Sequence, residues 1–370
     1  MKSSIEVFAN YDWSLLMAAL ALSALGLLAI YGINISGGDV DFFQFRKQLI
    51  ALGIGLVIAL GAAFVDYRHI RTLSLPIFLA GILMLVAVLI IGTTGRNAGR
   101  WFVLGTISFQ PVEIAKVTLG VFLAAYLSRY VHRRLTWSAF IGSLVVSLPY
   151  FVLVLLQPDF GSAMILIALW ISIILFSGLP KHAWWILLMI TVVLGSLFWS
   201  IGLQQYQKDR VLSFINPSMD PYGASYNVTQ ARIAIGSGGW LGKGIGEGSQ
   251  ARLRFLPEAS TDFMFAVLGE ELGFVGLAIV LSLFAFIFYR FTRIAMESAD
   301  AFAGILLIGL SSIIALHLII NAGMNMGLLP VTGIPLPFAS AAASSLVSMF
   351  VIIAIAESVA VSKKHAFTDK

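Results

Sequence analysis

The chain has 370 residues, of which 59% are hydrophobic and 11% charged, with a formal net charge of +5 and no cysteine. A mean hydropathy of +0.95 leaves too few polar groups to cover a soluble surface, which excludes disordered, coiled-coil and nucleic-acid-binding classes, while the missing cysteines exclude disulfides and thiolate metal sites. What remains is a polytopic membrane protein.

A helix needs about 20 apolar residues to cross a hydrocarbon core of about 30 Å. Ten stretches meet that need, at about 13–33, 48–65, 73–93, 111–130, 137–156, 161–179, 182–203, 263–289, 301–326 and 341–362. The first is too long for the apolar part of a signal peptide and reads as a span. None shows the alternation of barrel strands, and lipid offers no partner for backbone N–H and C=O, so helices are expected throughout. The expected fold is an all-α polytopic membrane protein, with residues 1–370 as a single transmembrane domain and one large extracytoplasmic loop, about 204–262, between spans seven and eight.

Basic residues in short loops set the orientation. Lys2, Arg68, Arg71, Arg129, Arg133, Arg134, Lys181, Arg290, Arg293, Lys363, Lys364 and Lys370 fall on one side; Arg46, Lys47, Arg96 and Arg100 fall on the other. The bias places both termini in the cytoplasm and the long loop outside.

Ionisable side chains within the hydrocarbon cost a few kcal/mol each, so every one is a candidate for function. Glu113 and Lys116 open the fourth span in Gln110-Pro111-Val112-Glu113-Ile114-Ala115-Lys116. Pro111 suits a first helical turn, and i,i+3 spacing lets the two charges neutralise each other on one face, either as a structural ion pair or as substrate contacts. Glu270 and Glu271 are neighbours in the eighth span and point about 100° apart, so they are not expected to serve one site. His317 and Glu357 read as buried, internally satisfied side chains.

The outer segments are dense in polar residues: Gly99-Arg100-Trp101, Gln157-Pro158-Asp159, Tyr206-Gln207-Lys208-Asp209-Arg210, a glycine run from Gly236 to Gly244, and Phe255-Leu256-Pro257-Glu258-Ala259-Ser260-Thr261-Asp262. Cations Arg100, Lys208, Arg210, Arg232, Lys243, Arg252 and Arg254 face acids Asp159, Asp209, Asp220, Glu247, Glu258 and Asp262, a composition that suits an amphiphile with a phosphate head. The glycine run is not a nucleotide loop, because Ser237 holds the first glycine's place and Gly244 follows Lys243 where Ser or Thr is required. Asn34-Ile35-Ser36 and Asn227-Val228-Thr229 are short glycosylation patterns of the kind chance supplies, and they carry no weight. Asp262 directly precedes the eighth span, where an aspartate either caps the helix or, unlike asparagine, serves as a general base.

Taken in order, these motifs resemble the SEDS (shape, elongation, division and sporulation) family from first span to last. The carriers are Gly99-Arg100-Trp101, Gln110-Pro111-x-Glu113-Ile114-Ala115-Lys116, Gln157-Pro158-Asp159-x-Gly161, Asp220-Pro221, Ile233-Ala234-Ile235-Gly236-Ser237-Gly238-Gly239, Gly242-Lys243-Gly244, Phe255-Leu256-Pro257-Glu258, Thr261-Asp262-Phe263, Glu270-Glu271-Leu272-Gly273 and Leu329-Pro330-Val331-Thr332-Gly333-Ile334-Pro335-Leu336-Pro337. The wording of the glycine run and the short tails look more like the elongation branch than the division branch. Four places depart from the pattern. Val112 stands where Ser is usual, Ser260 where His is usual and Ser225 where Gly is usual, and Ser340-Ala341-Ala342-Ala343-Ser344 replaces Ser-Tyr-Gly-Gly-Ser.

The resemblance implies a peptidoglycan glycosyltransferase of the bacterial cytoplasmic (inner) membrane that polymerises lipid II and releases undecaprenyl pyrophosphate. The family's essential aspartate falls on Asp262, as general base. Lys116, Arg210 and Lys243 are the expected cations for the leaving pyrophosphate and Arg100 a further anion contact; Glu113 is expected to orient Lys116, Asp159 to shape the cavity, and Glu258 to belong to the substrate site. No dedicated metal ligands are visible, although a divalent cation, Mg or Mn, would suit the pyrophosphate. The implied partner is a class B penicillin-binding transpeptidase, seated on the lipid-facing sides of spans eight and nine and the outer loop, with other elongation-complex membrane proteins beyond it. The competing readings are a lipid II flippase, a division or sporulation paralogue of the same polymerase, and a scaffold without catalysis.

Overall fold

The computed structural model describes residues 10–36, 42–92, 99–104, 107–130, 135–178, 180, 183–185, 188–189, 205–216, 223–253 and 255–368. The expected seventh span lies almost entirely outside them, as do Asp220-Pro221, Arg96, Arg133, Arg134, Lys181 and Arg254.

The apolar stretches fold as helices. In chain order they are α1 (Trp13–Ser36), α2 (Phe43–Gly61), the short α3 (Tyr67–Thr72), α4 (Ser74–Ile91), α5 (Pro111–Leu127), α6 (Trp137–Leu156), α7 (Phe160–Ser177), α8 (Gln205–Ile215), α9 (Ala224–Ser237), α10 (Ser249–Arg252), α11 (Met264–Glu297), α12 (Ala301–Asn325) and α13 (Ala343–Thr368). Among the described residues, eight of them are long and apolar enough to cross a membrane. The expected fourth span is α5, at 17 residues, with all but Ile114, Phe122 and Tyr126 buried. A helix apolar nearly all round belongs in the middle of a bundle. It packs against α4, α6, α7, α12 and α13, and so carries Glu113 and Lys116 into the protein's centre.

Two features were not expected. The long segment expected as an extracytoplasmic loop is helical in α8, α9 and α10 among its described residues. A two-stranded antiparallel hairpin, β1 (Phe102–Leu104) and β2 (Ile107–Phe109) with Phe102 opposite Phe109, stands before α5.

At one end of the bundle, Asp12 ties the first helix to two others. Its carboxylate takes Arg290 Nε at 2.8 Å, and its backbone N–H donates to Glu357 Oε2 at 2.9 Å. Glu357 is thus buried and partnered through Oε2, as expected. The site residues gather at the other end.

Helix α11 is broken at Gly273, where φ is 66° and ψ −164°. The glycine run takes up the backbone groups this break releases. Phe274 N–H donates to Gly239 O at 2.9 Å and Val275 N–H to Trp240 O at 3.1 Å; in return Lys243 N–H donates to Glu270 O and Gly244 N–H to Glu271 O, both at 3.0 Å. Side chains finish the joint. Glu270 accepts from Lys243 Nζ at 2.7 Å, and Glu271 accepts from Gly246 N–H at 2.9 Å. Both glutamates thus hold one loop, contrary to the expectation from their divergent directions, because that loop curls around both faces of the helix.

The run is glycine-rich because backbone meets backbone. A Cβ on Gly242, at φ +81°, would lie 2.1 Å from Glu271 O, whereas one on Gly236 meets nothing within 4 Å. Gly242→Ala should therefore cost more than about 2 kcal/mol, as strain and overlap combine. Gly236→Ala, inside α9, should be neutral or slightly stabilising. Thermal unfolding of the two variants in detergent checks this; equal melting temperatures would contradict it.

Candidate active site

A cavity of about 580 Å³ opens at this end, and its walls include Arg100, Glu113, Asp159, Tyr206, Arg210 and Asp262. The turn from Pro330 to Pro335 forms one side.

Asp262 does not cap α11. The helix begins at Met264, and its cap position is held by Phe263 without a side-chain bond. The N–H of Ala266 donates to Phe263 O at 3.0 Å and is shared with Asn325 Oδ1, at 3.2 Å. Asn325 Nδ2 donates to the Asp262 carbonyl at 3.0 Å, and Asn321 Nδ2 donates to the same oxygen at 2.9 Å. Upstream, Glu258 O accepts the N–H groups of Thr261, Asp262 and Phe263 at 3.1–3.2 Å, and Thr261 O accepts from Ser340 Oγ at 2.6 Å. The backbone is fixed on every side, and no donor among the described residues bonds the Asp262 carboxylate. Burial, then the nearby Glu258 charge, pushes this carboxyl up to about 6, against the opposing pull of Arg210.

Behind the cavity wall lies a buried chain of polar groups. Lys116 Nζ donates to Glu113 Oε1 at 2.8 Å and reaches His317 Nε2, also at 2.8 Å. An ammonium can only donate, so Nε2 accepts, and Nδ1–H points to Pro335 O at 3.3 Å. Ser348 Oγ donates to the other Glu113 oxygen at 3.3 Å.

The remaining wall residues are held more locally. Arg100 Nε donates to Gln157 O at 2.6 Å, and its Nη2 donates to Pro158 O and, at 3.2 Å, to Tyr206 Oη. Asp159 caps α7, accepting from Ser162 N–H at 3.1 Å and Ser162 Oγ at 2.9 Å, and it receives Gln110 Nε2 at 3.1 Å. Arg210 lies over the Tyr206 ring, 5.8 Å from its centroid, with Nη1 3.4 Å from Val331 O.

Five of the eight expected site residues therefore meet: Arg100, Glu113, Asp159, Arg210 and Asp262. Three stand apart. Lys116 is wholly enclosed, because a buried ammonium needs the carboxylate and imidazole on either side of it. Glu113 therefore faces the cavity with Lys116 behind it, the reverse of the expected order. Lys243 is committed to Glu270 and to Ser249 Oγ at 3.0 Å. Glu258 is exposed, and its Oε2 accepts from Thr261 Oγ1 at 3.0 Å.

Comparison with known proteins places this geometry. The family model described as cell cycle protein, of the FtsW, RodA and SpoVE group, matches residues 12–365. The chain belongs to this family, the SEDS family. It is 35% identical over 359 residues to the peptidoglycan glycosyltransferase MrdB of Escherichia coli (strain K12), covering 96% of this chain and 95% of that one. It is 34% identical over 354 residues to the stage V sporulation protein E of Bacillus subtilis (strain 168), covering 93% and 95%. Among solved structures, it is similar to a chain of a peptidoglycan synthase complex described for its coordination of polymerization and crosslinking, with a TM-score of 0.79, 28% identity and coverage of 95% and 98%. It is also similar to the rod shape determining protein RodA of Thermus thermophilus, with a TM-score of 0.70, 27% identity and coverage of 95% and 96%.

For a SEDS chain, the residues that the sequence reading missed are Asn321 and Asn325. Their signal was present: with His317 they recur every four residues in an apolar span, and so share one face. Either asparagine alone still serves the Asp262 carbonyl. Each single alanine variant should therefore lose about 1–2 kcal/mol of stability, and the double variant more than the two together. A double-mutant cycle in detergent checks this, and strictly additive losses would mean that the shared carbonyl is not what couples them.

Proposed function

We propose that this protein is a membrane-embedded peptidoglycan glycosyltransferase that polymerises lipid II, with Asp262 as its general base. The observation that carries the reading is a carboxylate fixed by its backbone but unpartnered at its side chain, in a cavity that also holds Arg100 and Arg210. The charge bias in the loops supports an extracytoplasmic position for that end, with both termini in the cytoplasm.

The acceptor sugar's 4-hydroxyl gives its proton to Asp262 as its oxygen attacks C1 of the donor's lipid-linked sugar. The bond from C1 to the phosphate oxygen breaks, its electron pair stays on the diphosphate, and undecaprenyl pyrophosphate departs. A base whose affinity for protons sits near working pH contributes about 10²–10⁴-fold. The guanidiniums of Arg210 and Arg100 offset the charge that grows on the leaving group. Glu113, braced by Lys116, adds an anion that keeps the sugar side of the cavity polar. Among the described residues, no three of His, Asp or Glu stand together to hold a metal ion. Mg and Mn need only one or two carboxylates beside phosphate oxygens and water, so a divalent cation on the pyrophosphate stays part of the proposal alongside the guanidinium charge. A class B penicillin-binding transpeptidase is the proposed partner. The exposed Phe274, Ile279 and Ile319 offer it an apolar face on α11 and α12.

Purified protein given lipid II in detergent should make glycan polymer. Asp262→Asn should make none while melting no lower than wild type, since among the described residues no hydrogen bond of the carboxylate is lost; polymer at wild-type rate would remove Asp262 from the chemistry.

A base must be ionised to work, so the rate should fall as pH drops through about 6 and hold level above it. Arg210→Ala removes a charge that favours the ionised form and should move that limb to higher pH; Glu258→Gln removes a like charge and should move it lower. A pH–rate profile unmoved in both variants would assign the limb to another group.

A further inference from the structure

A second, smaller cavity of about 110 Å³ adjoins the first and shares Arg210, Pro330 and Val331 with it. Its other walls come from α8, α9 and the turn after α12, including Ser213, Thr229 and Arg232. The two differ in charge. Glu113, Asp159 and Asp262 line the larger cavity, whereas no carboxylate is among the lining residues of the smaller one, which has two guanidiniums.

The hydroxyls there are already spent as donors. Ser213 Oγ donates to Arg210 O at 3.2 Å, Ser225 Oγ to Ser213 O at 3.2 Å, and Thr229 Oγ1 to Ser225 O at 2.9 Å. That leaves the arginines to donate to a ligand. Arg232 is exposed, and its guanidinium bonds no protein group among the described residues. Its stem rests on Gly327, at φ +72°, where a Cβ would come within 3.3 Å of Arg232 Cδ. A planar guanidinium free to donate is suited to a phosphate oxygen pair.

When two lipid II molecules join, each brings a diphosphate. The donor's must lie against the carbon under attack; the acceptor's remains attached to its own sugar, a disaccharide away from the reacting hydroxyl. The reaction proposed above therefore needs two anion sites side by side. We propose that the smaller cavity holds the diphosphate of the acceptor, with Arg232 as its main cation and Arg210 shared between the two sites. This assignment rests on the polymerase reading.

Three measurements on the full-length protein in detergent test it. Native mass spectrometry with added undecaprenyl pyrophosphate should show two bound lipids on wild type and on Asp262→Asn, and one on Arg232→Ala. Phosphatidylglycerol at equal concentration should not displace the second. In polymerisation, Arg232→Ala should raise the KM for lipid II roughly tenfold with kcat changed less than about threefold, and Arg232→Lys should recover part of the loss. Two lipids still bound to Arg232→Ala with KM unchanged would overturn the second site while leaving the polymerase intact. Displacement by phosphatidylglycerol would make it a general phospholipid site and overturn its assignment to substrate. Wild-type protein that makes no polymer at all would instead strike the parent reading.

Discussion

The site depends on a pair of amide hydrogen bonds that Asn321 and Asn325 make to the carbonyl of Asp262. A helix that starts at the end of an apolar bundle leaves its first N–H groups without partners. The usual remedy is an aspartate or serine just ahead of it, and Asp262 is well placed for that duty. Here Phe263 O takes the Ala266 N–H within the turn, and Asn325 Oδ1 adds a second acceptor from a neighbouring helix. The carboxylate is released from structural work while its backbone is held from both sides. Each such bond is worth only about 1 kcal/mol, so the arrangement matters less for stability than for position. An acid with nothing to bond and little room to move is placed to accept a proton from something that arrives.

The same face of α12 reaches further. His317, Asn321 and Asn325 form one stripe, and the proline-rich turn after that helix has carbonyls that no secondary structure uses. Asn321 takes Ile334 O at 2.8 Å, and His317 takes Pro335 O. On its other nitrogen, His317 receives Lys116, and so the stripe connects the turn, the central ion pair and the aspartate. A lone ammonium at the centre of a bundle would be prohibitive; between a carboxylate and a neutral imidazole it is tolerable. This also weighs against transport. The Glu113/Lys116 pair, read alone, resembles one step on a polar path across the bilayer. Enclosed by His317 and Ser348, it ends at the cavity wall.

How far the sequence was legible follows from what kind of signal each feature leaves. Span positions follow from hydropathy, a property of each residue alone, and nine of the ten expected spans are helices among the described residues. Asp262 was visible, but its role was ambiguous, since a cap and a base look the same until the partner of Ala266 N–H is known. The break at Gly273 and the loop that mends it involve backbone bonds between residues about 30 positions apart, which no local pattern announces. For that reason Lys243 read as a phosphate contact, and the two glutamates as unable to serve one site, when Lys243 pairs with Glu270 and Glu271 holds the same loop. The helices α8 and α9 were missed for the opposite reason: neither has a long apolar run, and α9 is ordered by packing on α11 and α12 while α8 packs on α9.

Two of the four departures from the family pattern meet at one point, which bears on whether this chain retains the family's chemistry. Ala341 N–H donates to Ser260 O at 2.7 Å, so the alanine corner and the serine in the usual histidine position are in direct contact, two residues from Asp262. That bond uses only backbone atoms, and any residue but proline can make it. The side chains this corner does need are those it keeps. Ser340 Oγ bridges Leu336 N–H, at 2.9 Å, and Thr261 O, while Ser344 Oγ accepts Gln110 N–H at 3.1 Å, just ahead of Glu113. The two serines that bracket the altered residues thus tie the start of α13 to the segments that carry Asp262 and Glu113. Exchanging a tyrosine and two glycines for alanines between them alters how freely the corner bends, but leaves in place the contacts that position the acid.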